Sequence, residues 1–119
     1  EIVEDAIKDA NENCKINKIS NAKYNAGDTE KLLADLIKKE NIVPDVVVVD
    51  PPRKGLDENT KKTLLTMKPK KIIYSSCKAS TMARDIKELS CEYEVSKFVL
   101  VDMFSHTHHT ETLACLVRK

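Results

Sequence analysis

Lys71-Ile72-Ile73-Tyr74-Ser75-Ser76-Cys77-Lys78-Ala79-Ser80-Thr81 is the stretch that decides how this chain folds. A short apolar run ends abruptly in small polar residues and a cysteine, and a helical pattern begins a few residues later. A buried strand of this kind delivers its last side chains to the carboxyl edge of a parallel sheet, where α/β folds place their ligands. Cys77 is therefore the first candidate for chemistry.

The flanking segments alternate in type. Upstream, Asp45-Val46-Val47-Val48-Val49-Asp50 sets four β-branched residues in a row, which predicts a central parallel strand buried on both faces. Pro51-Pro52-Arg53-Lys54-Gly55 then forms a loop, because two prolines cannot continue a ladder and Gly55 allows a turn. Asp57 suits the N-cap of a helix running to about Met67, stopped by Lys68-Pro69. Downstream, Ser80 or Thr81 is placed to cap a helix from Met82 to Leu89. A strand from Tyr93 to Met103, a histidine-rich loop and a final strand from Glu111 to Val117 follow.

Near the start, Val3 to Asn17 carries Ala6, Ile7, Ala10, Cys14 and Ile16 at helical spacing, with Glu4 and Asp5 in the first turn, where the macrodipole favours acids. Lys23 to Ala26 reads as a brief strand, broken by Gly27-Asp28. A second helix from about Thr29 to Lys39 turns Leu32, Leu33, Leu36 and Ile37 inward. This order predicts an α/β fold with a mainly parallel, doubly wound sheet and an antiparallel last strand. Its carboxyl edge collects Asp28, Asp50, Cys77 and the loop before Glu111.

At 119 residues the chain is one domain or part of one. It opens at Glu1, inside what reads as the end of an element, and holds no apolar stretch near the ~20 residues of a membrane span. The expectation is a soluble, cytoplasmic piece of a longer protein. Twenty basic residues against 19 acidic ones leave a net charge of +1, which excludes a global basic field. Any nucleic-acid contact must then be local or lie elsewhere in the longer protein. Cys14, Cys77, Cys91 and Cys115 form no Cys-x-x-Cys pair, which argues against a zinc ribbon, an iron-sulfur cluster or a disulfide framework. Cys14, Cys91 and Cys115 read as small hydrophobes.

Three groups carry candidate chemistry. Asp50, fixed by the proline pair after it, presents a carboxylate to a ligand in a set geometry, or else merely ends its strand. Cys77, beside Lys78 and a helix start, is a candidate nucleophile, or a structural cysteine at a strand end. Glu111, at the mouth of the last strand, is placed to take a proton from an intermediate held on that cysteine, or is a solvated strand-start glutamate. His106, His108 and His109 with Glu111 complete no familiar metal-ligand spacing, so no metal is expected.

Asp50-Pro51-Pro52-Arg53-Lys54-Gly55-Leu56-Asp57, Tyr74-Ser75-Ser76-Cys77 with Thr81-Met82-Ala83-Arg84-Asp85, and Asp102-Met103-Phe104-Ser105-His106-Thr107 with His109 and Glu111 resemble the successive motifs of the RNA (uracil-5-)-methyltransferases. That family uses S-adenosyl-L-methionine to methylate 23S ribosomal RNA and tRNA. The resemblance runs through the whole chain. It implies a Rossmann-like class I methyltransferase fold, truncated at its N-terminal side: residues 1–119 would be the C-terminal portion of the catalytic domain. The first strand, the glycine-rich loop and the upstream RNA-binding domain would lie outside it.

The resemblance also implies roles. Cys77 adds to C6 of uracil and makes C5 nucleophilic, and Glu111 removes the C5 proton after methyl transfer. Glu1, Asp28 and Asp50 contact the cofactor, while Pro51, Arg53, Lys78 and His106 contact the substrate. The implied partner is RNA, ribosomal RNA ahead of tRNA, with no membrane; an exposed sheet edge invites self-association. The chain departs from the family pattern at Lys78-Ala79, where Asn-Pro is usual, and at Ser105, where Pro is usual. The isolated piece is expected to bind cofactor weakly and to transfer no methyl group. Two other classes fit parts of the pattern: a base-amino methyltransferase of the Asp-Pro-Pro type and a non-catalytic α/β interaction domain.

Overall fold

The computed structural model describes residues 1–28, 32 and 43–119, which divide into two compact units, Glu1–Asn41 and Ile42–Lys119. In the first unit the helical spacing gives α1 (Glu4–Ile16). The Glu1 carboxylate accepts the Val3 N–H at 2.9 Å, and Asp5 pairs with Lys8 one turn on. Cys14 is the buried residue of this helix, its sulfur 3.2 Å from the Tyr24 hydroxyl, whereas Ile16 is exposed. Lys23 to Ala26 does not form the expected strand: these residues lie outside every strand of the described sheet. The Gly27 N–H instead bonds the Glu1 carbonyl at 2.8 Å. Apart from Leu32, the helix expected from Thr29 to Lys39 lies outside the described residues.

The second unit is one four-stranded sheet with helices. Its elements are β1 (Val46–Val49), α2 (Glu58–Met67), β2 (Lys71–Ser76), α3 (Ala79–Leu89), β3 (Tyr93–Val101) and β4 (Glu111–Arg118). The strand order is β1-β2-β4-β3. β1 and β2 are parallel, and β4 is antiparallel to both β2 and β3, so three of the four strands run the same way. The expected antiparallel last strand is present. It lies inside the sheet, between β2 and β3.

Alternation in β2 and β4 defines the core. Ile72, Tyr74 and Ser76 are buried with Thr112, Ala114 and Leu116, joined by Leu64 and Met67 of α2 and Met82 and Leu89 of α3. Each fully buried aliphatic side chain among them contributes roughly 1.5–3 kcal/mol relative to exposure. The intervening positions, Ile73, Ser75, Leu113 and Cys115, are half-buried. Burial of β1 on both faces is not observed: Val46 and Val48, which share one face, are exposed, while Val47 and Val49 on the other are half-buried.

Helix ends follow local chemistry. The Asp57 side chain caps α2 by accepting the Thr60 N–H at 2.8 Å, and Lys68, in the left-handed region, closes it by donating to the Leu64 carbonyl. α3 begins three residues earlier than expected, and neither Ser80 nor Thr81 caps it: Lys78 occupies the cap position, and the Thr81 hydroxyl donates to the Lys78 carbonyl at 2.9 Å. β3 ends at Val101, with an irregularity between Val95 and Lys97 where the Ser96 hydroxyl reaches the Cys115 carbonyl. The four cysteines are free: Cys14 is buried, Cys77 and Cys115 are half-buried and Cys91 is exposed.

Candidate active site

Cys77 sits between the last residue of β2 and the first turn of α3. The strand delivers it there because Ser76, buried in the strand's inward register, turns the chain: its hydroxyl accepts the Lys78 N–H at 3.0 Å and donates to the Lys78 carbonyl at 3.2 Å. Half-buried Cys77 opens onto a cleft of about 540 Å³, lined also by Arg53, Lys78, Leu100, His109 and Thr112. That volume lies in the range of small-ligand sites, roughly 300–1,000 Å³. Arg53 and Lys78 make the cleft cationic, and the N-terminus of the 11-residue α3 adds a partial positive charge.

Glu111 opens β4, half-buried, between the cleft residues Thr110 and Thr112. β2 and β4 pair from Lys71↔Val117 to Ser76↔Thr112, where the ladder ends. Cys77 and Glu111 each lie one residue beyond that last pair, and Glu111 is not among the residues that line the cleft.

The Asp50–Leu56 loop brings Arg53 to the same cleft. A turn forms in which the Gly55 N–H bonds the Pro52 carbonyl at 2.8 Å, with Arg53 and Lys54 at its centre. The Arg53 guanidinium lies 3.5 Å from His109 Nε2, and His109 stacks at a tilt of 46° on His108. The turn is held from behind by α3. The Arg84 guanidinium donates to the Lys54 carbonyl and the Asp85 carboxylate accepts the Leu56 N–H, each at 2.7 Å.

Of the residues picked from sequence, Cys77, Lys78 and Arg53 thus share one cleft. Pro51 and Asp50 belong to the loop that carries Arg53 but are outside the cleft lining, as is His106, exposed at φ 66°. His108 and His109 stand there instead. Glu1 and Asp28 belong to the first unit, Asp50 to the second. Hydrogen bonds from the Val3 and Ile2 N–H groups hold the Glu1 carboxyl below the usual carboxylate range. Among the described residues no group of three or more His, Cys, Asp or Glu side chains is placed to hold a metal ion.

Thr112 and Asp85 escaped the sequence reading as site-forming residues. Thr112 is 1% exposed, and its hydroxyl has no hydrogen-bond partner among the described residues. Period-two alternation with Ala114 and Leu116 was the available signal for its inward placement. For Asp85 the signal was an acid at i+3 from Met82 and i−4 from Leu89, on the apolar stripe of α3.

The sequence model of the tRNA (uracil-5-)-methyltransferase family matches residues 1–119. Curated relatives include an uncharacterized RNA methyltransferase of Bacillus cereus, 45% identical over 119 residues, and one of Staphylococcus epidermidis, 46% identical over 119 residues. Each match covers all of this chain and 26% of the relative, so the chain spans about a quarter of their length. Among solved structures, the tRNA (uracil-54, C5)-methyltransferase of Pyrococcus abyssi, crystallised with S-adenosyl-L-homocysteine, superimposes with a TM-score of 0.81 at 37% identity. That match covers 98% of this chain and 27% of the other. The whole chain therefore belongs to the tRNA (uracil-5-)-methyltransferase family.

Proposed function

We propose that the protein containing this chain methylates C5 of a uridine in RNA, with Cys77 as the nucleophile and Glu111 as the proton acceptor. The observation that carries this reading is the cleft onto which Cys77 opens beside the cations Arg53 and Lys78, with Glu111 at the start of the strand that pairs with β2. The Cys77 sulfur forms a bond to C6, and the electron pair of the C5=C6 bond moves toward C5 and the O4 oxygen. Arg53 and Lys78 favour the negative charge that builds there. After C5 is methylated, Glu111 takes the C5 proton, the pair left behind restores the double bond, and Cys77 leaves with its own electrons. Lys78 stands where the family usually has Asn.

The cofactor is S-adenosyl-L-methionine, which supplies an electrophilic methyl group. The family resemblance assigns Glu1, Asp28 and Asp50 to it. Glu1 offers an exposed, ionised carboxylate suited to accepting hydrogen bonds from a ribose diol, and the Gly27–Glu1 backbone bond keeps Asp28 on the neighbouring segment. Asp50, exposed at the end of β1, is assigned to the methionine end. The chain is the C-terminal portion of the catalytic domain, and at about a quarter of its relatives' length it is inactive alone. The protein acts in the cytoplasm.

The test is covalent trapping of the full-length protein with RNA containing 5-fluorouridine. That base takes the methyl group but offers no C5 proton, so the adduct persists. Wild-type protein forms the adduct, Cys77→Ala does not, and Glu111→Gln accumulates it on ordinary uridine RNA. A Cys77→Ala protein that still methylates RNA removes the reading. Ribosomal RNA, the substrate proposed here, and tRNA are told apart by which of the two gains 5-methyluridine.

A further inference from the structure

Asp85 is completely buried, yet it lies outside the cleft lining. Its carboxylate accepts four hydrogen bonds: from the Leu56 N–H and the Tyr74 hydroxyl, both at 2.7 Å, and from Arg84 Nε and Nη2 at 3.1 and 2.9 Å. A buried charge is tolerated only when it is satisfied in this way, and removing one partner exposes the full desolvation cost of the rest. The four donors come from three places: the loop after the Pro52–Gly55 turn, the middle of β2, and α3 itself. Arg84 extends the network by donating to the Lys54 carbonyl, one residue past Arg53. Gly55 fits so closely that a Cβ there would stand 2.4 Å from the Asp85 carboxylate. The network therefore grips the chain at Lys54 and Leu56, and the turn bond fixes the residues between Pro52 and Gly55. Arg53, at the head of that turn, is the one side chain of the loop that reaches the Cys77 cleft.

We infer that Asp85 is a positioning residue for the methylation site: it anchors the turn from behind the sheet so that Arg53 is held over the Cys77 cleft. The inference rests on the reading of Cys77 as nucleophile. Asp85 touches neither substrate nor cysteine; it acts through Arg53. Its network ties the middle of β2, the strand that delivers Cys77, to the loop that delivers the cation. The two halves of the cleft are thereby held at one distance.

The experiment is a double-mutant cycle in the full-length protein, read as the rate of adduct formation with saturating 5-fluorouridine RNA. Asp85→Asn and Arg53→Ala should each slow trapping by about tenfold or more, with RNA affinity changed far less. If Asp85 acts through Arg53, the double variant is within about threefold of Arg53→Ala alone. Two losses that multiply mean that Asp85 is only structural, and overturn the proposal, as does an Asp85→Asn protein that traps at the wild-type rate. Should Asp85→Asn fail to fold, Tyr74→Phe, which removes one donor and leaves the charge, replaces it in the same cycle with the same criterion. A wild-type protein that gives no adduct overturns the Cys77 reading and this inference together; an adduct in the wild type beside an unaffected Asp85→Asn variant overturns this inference alone.

Discussion

Gly55→Ala probes the tightest approach in the loop. Gly55 has φ +88°, a conformation that costs an L-residue roughly 1–2 kcal/mol. The added methyl would also stand 2.4 Å from Asp85 Oδ2 and 2.7 Å from Arg84 Nη2. The arginine end can shift, but Oδ2 is fixed by the Leu56 N–H and the Tyr74 hydroxyl. Displacing it weakens at least one hydrogen bond to a buried charge, about 1.5–3 kcal/mol. The smaller entropy of an alanine-containing unfolded chain returns about 0.4–1 kcal/mol. The net expectation is a loss of about 2–4 kcal/mol. Urea unfolding of the chain, followed by circular dichroism, reads it as a lower midpoint at unchanged slope. A loss below about 1 kcal/mol would refute the reasoning, because it would mean that the carboxylate gives way freely.

Three further outcomes follow from the same structure. Burial raises the pKa of Tyr74 and of Tyr93, and the neighbouring Asp85 charge raises Tyr74 further. Both protons are thus held more tightly in the folded chain than in the unfolded one, where tyrosine titrates near ~10. Their contribution is present below that value and lost above it, so the urea midpoint falls between about pH 9 and 11, less steeply in Tyr74→Phe; a flat profile contradicts this. Burial raises the Asp57 pKa, but the Thr60 hydroxyl and N–H outweigh it and hold the carboxyl below its usual range. Asp57→Ala should cost about 1 kcal/mol near neutral pH, a gap that closes as acid below about pH 4 protonates the wild-type cap; a gap independent of pH would rule out the charged cap. Thr112→Val removes a buried hydroxyl that has no partner, so it should be neutral or stabilising by up to about 1 kcal/mol; a loss larger than that shows that the hydroxyl is bonded after all.

What could be read in advance was what local chemistry decides. The Ile72–Ser76 run with its polar ending marked a strand and the site beyond it, and Asp57 before Asn59-Thr60 marked a cap. Pairing is not local. Four valines in a row announced burial of both faces, but which face is covered depends on distant packing partners, and Val46 and Val48 are exposed. Val95, Phe98 and Leu100 are likewise exposed on β3, which pairs with β4 alone among the described strands. The insertion of β4 between β2 and β3 depends on pairing as distant as Lys71 with Val117, which no short window of sequence contains. The cleft was legible in the same measure. Cys77, Lys78 and Arg53 stood in motifs with chemistry attached, whereas Asp85 stood in one without an assigned role, and its burial follows from sharing the buried face of α3 with Met82 and Leu89.

The position of β4 has a consequence for biosynthesis. It is the last of the four strands to leave the ribosome, and at about 5–20 residues per second β2 and β3 emerge before the strand that joins them. Until then β3 presents Val95, Phe98 and Leu100 with neither side of its backbone paired. A nascent chain paused in the His106–Thr110 loop would hold that unpaired strand open to chaperones or to a neighbouring nascent chain. Emergence of β4 supplies β3 with its partner and gives β2 its second one.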